Sequence, residues 1–192
     1  MSTRSILSSL ADLLLPRGKS SGSGAQPSRR KSSGSSGAQS GASLRHPVPA
    51  AGSSGRTATV EVPPPPRDGL RITYAPQRDG DPDAGEVVWT WVPYSENDGR
   101  GKDRPVLVIA RQDAERVYAV RLTSKSHDGD RDFLSIGPGE WDSQGRPSWV
   151  DVEQIYSVHR DGMRREAAAL DLDRFLRVAS VLHKRYGWEV GA

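Results

Sequence analysis

The chain contains no cysteine. That absence excludes a disulfide scaffold, a thiolate zinc site and a thiol nucleophile, and it fits a reducing compartment. Long apolar runs are absent too: nothing approaches the roughly 18 residues that a membrane-spanning helix needs. The leucines at 13–15 are too few for the apolar centre of a secretory signal. Histidine is scarce and scattered, at His46, His127, His159 and His183. With no His, Asp and Glu grouped at metal-ligand spacing, neither a metal nor another cofactor is expected.

Positive charge is present but unevenly placed. The pI near 9.4 suggests a nucleic-acid partner. Residues 1–66, however, carry eight Lys or Arg against two acids, whereas 67–192 carry nineteen against twenty-two, giving +6 and −3 and hence the total of +3. The basic character belongs to the N-terminal third. Any anion site in the remainder must be a local cluster, because the overall field does not supply one.

Residues 1–66 read as a disordered tail. From residue 17 onward Ser, Gly, Ala and Pro dominate, ending in Pro63–Pro66, and such a segment has too little apolar surface to offset its chain entropy. Within it, SILSSLADLLL (Ser5 to Leu15) has helical apolar spacing. It is either a short frayed helix or a docking helix for a partner or a membrane surface.

The folded domain is expected over 67–192. LRITYAP alternates as an edge strand. GEVVWTWVPY and PVLVIAR are apolar on both faces, as in strands covered on two sides. VYAVRLTS and SWVDVEQIYSV supply further strands, with a long irregular stretch over 125–147. Short strands without βαβ alternation favour a mainly β fold, a small barrel or coiled antiparallel sheet. One helix follows, with Leu172, Phe175, Leu176, Ala179, Leu182 and Tyr186 as its apolar stripe, Asp171 as N-cap and Gly187 as C-cap.

Chemistry concentrates where charge meets strand. In GRGKDRPVLVIAR (Gly99 to Arg111), Lys102, Asp103 and Arg104 sit at the mouth of a buried strand. Burying unpaired charge is costly. Arg104 is therefore either a strand-capping arginine paired with Asp103 or Glu86, or a guanidinium held over an anion pocket. Its planar fork suits two parallel bonds to a phosphate. Thr123, Ser124 and Lys125 end the VRLTSK strand with two hydroxyls and a cation. Three candidates for a general base stay open: Glu153, Asp151 and His127. Strand alternation puts Asp151 and Glu153 on one face and Gln154 on the other unless a bulge intervenes. Trp141, in a loop, is the candidate platform for a splayed base. Trp149 reads as core or interface, and Trp89 and Trp91 as structural.

Taken in order, GEVVWTWVPY, the charged loop, RPVLVIAR, VRLTSK and VEQIYSV resemble the PemK/MazF family of toxin–antitoxin endoribonucleases, over roughly residues 85–186. The resemblance implies an SH3-like β-barrel with a C-terminal α-helix, acting as a cytoplasmic homodimer held in check by a cognate antitoxin. It implies metal-independent cleavage of single-stranded mRNA at short motifs, with Arg104 and Thr123 catalytic. Lys102, Ser124, Lys125, Trp141, Glu153 and Gln154 are the expected RNA-binding residues. The alternative is a non-catalytic binding module on the same fold, a gyrase poison or a protein-interaction regulator, suggested by Trp188 beyond the helix.

Overall fold

Val106, Leu107, Val108 and Ile109 place apolar side chains on both faces of one strand, so two layers must cover it. The structure, a computed structural model, describes residues 50–191 apart from 78 and 97. The expected tail therefore lies outside the described residues up to residue 49, and so does its helix over 5–15. The apolar run is the middle of the long strand β4 (Gly101–Arg111). Around it lie β1 (Val60–Val62), β2 (Arg71–Thr73), β3 (Glu86–Pro93), β5 (Arg116–Thr123), β6 (Phe133–Gly137), β7 (Ser148–His159) and β8 (Met163–Ala169). The helix α1 (Leu172–Tyr186) and a last short strand, β9 (Glu189–Gly191), complete the chain. The architecture is mainly β with one C-terminal helix, as expected.

Seven strands form one antiparallel sheet in the order β1-β7-β5-β4-β3-β8, with β6 also on β7. β2 and β9 form a separate parallel pair. Strand pairing does not run full circle among the described residues: β8 ends one side, and β1 and β6 share β7 at the other. Alternation then sorts the core. Leu107, Ile109, Val120, Leu122 and Ile155 point to the face that α1 covers with Phe175, Val178, Ala179 and Leu182. Val88, Val92, Val106, Val108, Val117, Tyr156 and Val158 point to the other. Among the described residues no α-helix covers that second face, yet its members are at most 1 % exposed, so the sheet must curl over it.

The segment before β2 helps to close it. β1 pairs with β7 at Val60↔Ser157 and Val62↔Ile155, so the domain begins before the boundary expected at residue 67. The Arg116 guanidinium ties this strap down, donating to the carbonyls of Arg56 (2.6 Å) and Ala58 (3.2 Å) and to Ser157 Oγ (3.1 Å). The Thr90 hydroxyl donates to the Gly162 carbonyl (2.8 Å), so its lone pair accepts the Thr59 hydroxyl at 2.7 Å. Gly162 has to be glycine here, since a Cβ would sit 2.2 Å from the Thr57 carbonyl oxygen.

The helix is capped as its sequence predicts. Gly187 closes it in the left-handed region (φ 78°). Its buried stripe is displaced from the expected one: Phe175, Val178, Ala179 and Leu182 face the sheet, while Leu172 and Leu176 are exposed. Asp171 accepts the Arg174 backbone N–H at 3.0 Å and also bonds its guanidinium. These bonds, the backbone one foremost, hold its carboxyl below the usual carboxylate range. A depressed folded value contributes stability above the unfolded pKa and loses it as pH falls through the folded one. Asp171→Ala is expected to lower Tm by about 4 °C at pH 7. The difference from the parent should shrink as pH falls through the lowered pKa of the folded carboxyl, which thermal scans at pH 7 and in acid would measure.

Trp188 is 0 % exposed. It stacks on Tyr186 with ring centroids 4.5 Å apart and donates its indole N–H to the Pro65 carbonyl at 3.0 Å. The feature that suggested a binding module is thus buried in the core and presents nothing to a partner.

Candidate active site

β4 starts four residues earlier than the apolar run alone suggests, so Lys102, Asp103 and Arg104 are strand residues, paired across to Val92, Trp91 and Thr90 of β3. On the other side, Val106 pairs with Arg121 of β5. Two residues on, antiparallel geometry brings Arg104 level with Thr123. Both line one cavity of about 340 Å³, together with Lys102, Ser124 and Lys125. Trp89, Asp142, Arg146 and Ser148 complete much of the wall. A volume of that order suits a small ligand or one unit of a polymer.

The electrostatics of this cavity differ from those of the domain. Four cations, Lys102, Arg104, Lys125 and Arg146, face two carboxylates, Asp103 and Asp142. Both carboxylates are already engaged. Asp103 bonds Arg164 of β8 at 2.6 Å, and Asp142 bonds Arg146 at 2.8 Å. The Arg146 guanidinium, with the Gln144 backbone N–H, holds the Asp142 carboxyl below the usual range. Arg164 thus takes up Asp103, one of the two carboxylates expected as strand-capping partners of Arg104. Among the described residues, Arg104 forms no ion pair, and its Nε is buried without an acceptor. Such a group is held at a cost of about 1–3 kcal/mol unless a ligand completes it. Thr123 Oγ1 accepts the Lys125 backbone N–H at 3.2 Å, which leaves its own proton free to donate.

Three expected site residues fall elsewhere or act otherwise. Glu153 lies in the middle of β7, outside this cavity and 3.6 Å from Arg185. It lines a second cavity of about 760 Å³ between β1 and the end of β3. Gln154 accepts the Tyr156 hydroxyl at 3.0 Å, and burial pushes that phenol up to about 12, so it stays a donor. The cause is a bulge. Asp151 Oδ1 accepts the backbone N–H groups of Glu153 (2.9 Å) and Gln154 (3.2 Å), and the β5–β7 register slips there. Asp151 itself is buried and bonds Arg121 at 2.8 Å, so it is not a free base. Trp141 does border the cavity, but only 2 % of it is exposed and its indole donates to Ser148 Oγ at 3.0 Å. It holds up the wall and offers no open face for stacking. Trp149 is likewise buried, as expected. His127 stacks on Phe133 and meets Asp130 at 3.4 Å, away from the cavity. No group of three or more His, Asp and Glu able to hold a metal occurs among the described residues.

The family model described as PemK-like, MazF-like toxin of type II toxin–antitoxin system matches residues 83–185, more than half of the chain. The chain belongs to this family. The match spans β3 to the last turn of α1 and so contains the whole cavity, while the strap and β2 lie outside it. Solved structures similar to this PemK/MazF-like toxin include a MazE–MazF complex from Deinococcus radiodurans, at 21 % identity and TM-score 0.42, covering 56 % of this chain and 98 % of that one. Others are an endoribonuclease in complex with its cognate antitoxin from a mycobacterial species (19 %, 0.43, 56 % and 96 %) and the Mycobacterium tuberculosis toxin MazF-mt6 (15 %, 0.40, 53 % and 98 %). No curated protein matches the chain. Among the described residues, no helix is long and apolar enough to cross a membrane.

One residue of the cavity wall reads in the sequence as structural. Trp89 sits opposite Pro105, one residue from Arg104, and lines the same cavity. Alternation within an apolar strand marks it as packing. Only the tertiary structure reveals whether its N–H has an acceptor.

Proposed function

We propose that this toxin is a metal-independent endoribonuclease that cuts single-stranded mRNA, with the Arg104–Thr123 cavity as its active site. The observation that carries the reading is the unpaired Arg104 guanidinium beside a free hydroxyl, in a cavity whose carboxylates are occupied by other arginines. In such cleavage the ribose 2′-oxygen attacks the adjacent phosphorus and the 5′-oxygen leaves, giving a cyclic phosphate and a 5′-hydroxyl. Negative charge builds on the non-bridging oxygens, and fixed positive donors stabilise it most. Arg104 meets that need as a charge-stabilising fork; its pKa above about 12 makes it a poor proton donor. Thr123 can donate to a phosphate oxygen. Lys102, Ser124 and Lys125 supply the remaining backbone contacts.

Membership of a type II toxin family supports a cognate antitoxin as partner, and with it a homodimeric toxin acting in the cytoplasm. The test is to incubate the full chain with a long RNA in EDTA and map the new 5′ ends. Cuts at one recurring short motif are expected, and intact RNA overturns the reading. Because the contacts are to phosphates, KM should rise steeply with salt. Glu153→Ala is expected to keep cleavage within a factor of about three, the effect of an ordinary surface substitution. A loss beyond a hundredfold would return Glu153 to the site.

A further inference from the structure

Along the path β1-β7-β5-β4-β3 each strand is antiparallel to the last, so β1 and β3 run in the same direction. A strand lying between them would be antiparallel to both. β8 takes that place beside the first half of β3, and its pairing stops at Thr90↔Met163. There the Thr59 and Thr90 hydroxyls meet at 2.7 Å. From this contact Val60–Val62 and Trp91–Pro93 run on, and the cavity of about 760 Å³ is lined by both. The hydrogen-bond pattern shows which backbone groups border the gap. The Arg160 N–H donates to the Glu115 carbonyl, so by alternation Val158 and Tyr156 bond β5, while Ser157 and Ile155 turn to β1. Their partners Val60 and Val62 bond β7, and Glu61 turns its N–H and C=O away from it. Thr59 is turned the same way, and its N–H reaches the Gly52 carbonyl at 2.9 Å. On β3, the Tyr94 N–H donates to the Arg100 carbonyl, so Val92 and Thr90 bond β4 and Trp91 turns its N–H and C=O outward. Trp89, turned the same way, pairs with Arg164 of β8, but no strand continues beside Trp91.

We infer that this gap is a docking slot for an extended peptide segment of another protein, which enters antiparallel to β1 and β3 and carries a Lys or Arg beside Glu61. Unpaired strand edges are templates for a further strand, and main-chain bonds to an added strand supply affinity. Here two such edges flank one cavity, so a single segment can bond to both. The basic side chain follows from the charges. Glu61 forms no ion pair among the described residues, whereas Glu153 in the same wall already reaches Arg185 at 3.6 Å. Trp91 and Ile155 add apolar contact. The slot shares no residue with the Arg104 cavity, so it is independent of the nuclease reading. One of its two edges, β1, also lies outside the residues that the family model matches.

The test uses the full chain, labelled with nitrogen-15, and a short synthetic peptide of alternating lysine and valine as the probe. Saturable binding is expected, and deuterium exchange of the Glu61 and Trp91 backbone amides should slow by about tenfold or more once the peptide is bound. A peptide with glutamate in place of lysine should bind about tenfold more weakly, and Glu61→Lys should bind the lysine peptide about tenfold more weakly than the parent. Unmoved amide signals away from β1 would report that this variant is folded. Methylating alternate backbone nitrogens of the probe removes its donors to one edge in either register, and should also cost about tenfold in affinity. The slot is overturned by the absence of saturable binding, by binding that leaves both amides exchanging as before, or by equal affinity for the methylated peptide. Unchanged affinity in Glu61→Lys overturns the basic partner. Protection of both amides that needs no peptide and rises with protein concentration would place a second copy of the chain there instead. RNA cleavage bears on none of these outcomes.

Discussion

Arg104→Ala is expected to lower kcat/KM for RNA cleavage by about 10²–10³, most of it in kcat, as removal of a preorganised donor at a transition-state oxyanion does elsewhere. Stability should move the other way or not at all. In most proteins, deleting an arginine breaks an ion pair. Here Asp103 bonds Arg164, so no partner is left stranded, and the variant sheds a buried Nε without an acceptor. Tm is therefore expected to equal or exceed that of the parent, the usual relation between a site held ready for a ligand and the stability it sacrifices. Arg104→Lys keeps the charge but not the fork, and should recover only part of the rate. Thr123→Ala should reduce kcat less than Arg104→Ala, since one neutral hydrogen bond is weaker than a charge-assisted one. Measuring both kinetic constants and thermal unfolding on the same preparations checks all three. A fall in Tm matching the fall in rate would show that Arg104 is structural.

Trp188→Ala is expected to be the most destabilising single change outside the sheet, costing about 3–5 kcal/mol, the range for emptying a buried aromatic site. The Trp188 ring is fully buried against Tyr186, and its N–H is the bond that joins the end of the helix to Pro65 of the strap. At the usual conversion for a domain of this size, Tm should fall by about 10–15 °C. Trp188 lines neither cavity, so well below Tm the RNA-cutting rate per folded molecule should be unchanged. Trp188→Phe, which keeps the stack and loses only the bond to Pro65, should cost about 1 kcal/mol. A Trp188→Ala protein with the parent's Tm would mean that the helix end and the strap are not coupled through this ring.

Much of the fold is legible in the sequence. The apolar run of β4 announces a strand covered twice, and Asp171 and Gly187 bracket the helix they cap. Arg104 and Thr123 were paired by the family resemblance, and the β4–β5 register brings them level. The failures have local causes. Val60–Val62 is a three-residue strand inside a Ser, Gly and Pro-rich segment, and its order comes from β7, almost a hundred residues later, rather than from its own pattern. The bulge after Asp151 depends on a carboxylate folding back onto two backbone N–H groups. No alternation rule contains that, and it turned Glu153 and Gln154 away from the site. Trp141 lies in a loop and was read as open, but its hydrogen bond to Ser148 draws it inside. Whether a donor such as Trp89 Nε1 has an acceptor depends on every neighbour at once, so the sequence is silent on it.

The bond between Pro65 and Trp188 spans 123 residues of chain, and β1 meets β7 across nearly as many. Contacts this distant are made only after long loops have closed, and loop closure is the slow part of assembling a β fold. The toxin should therefore refold on the millisecond-to-second scale typical of such topologies rather than in microseconds. For as long as that takes, the free edge of β7 is uncovered. An edge of this kind readily pairs with another chain, so refolding yield should decline as protein concentration rises.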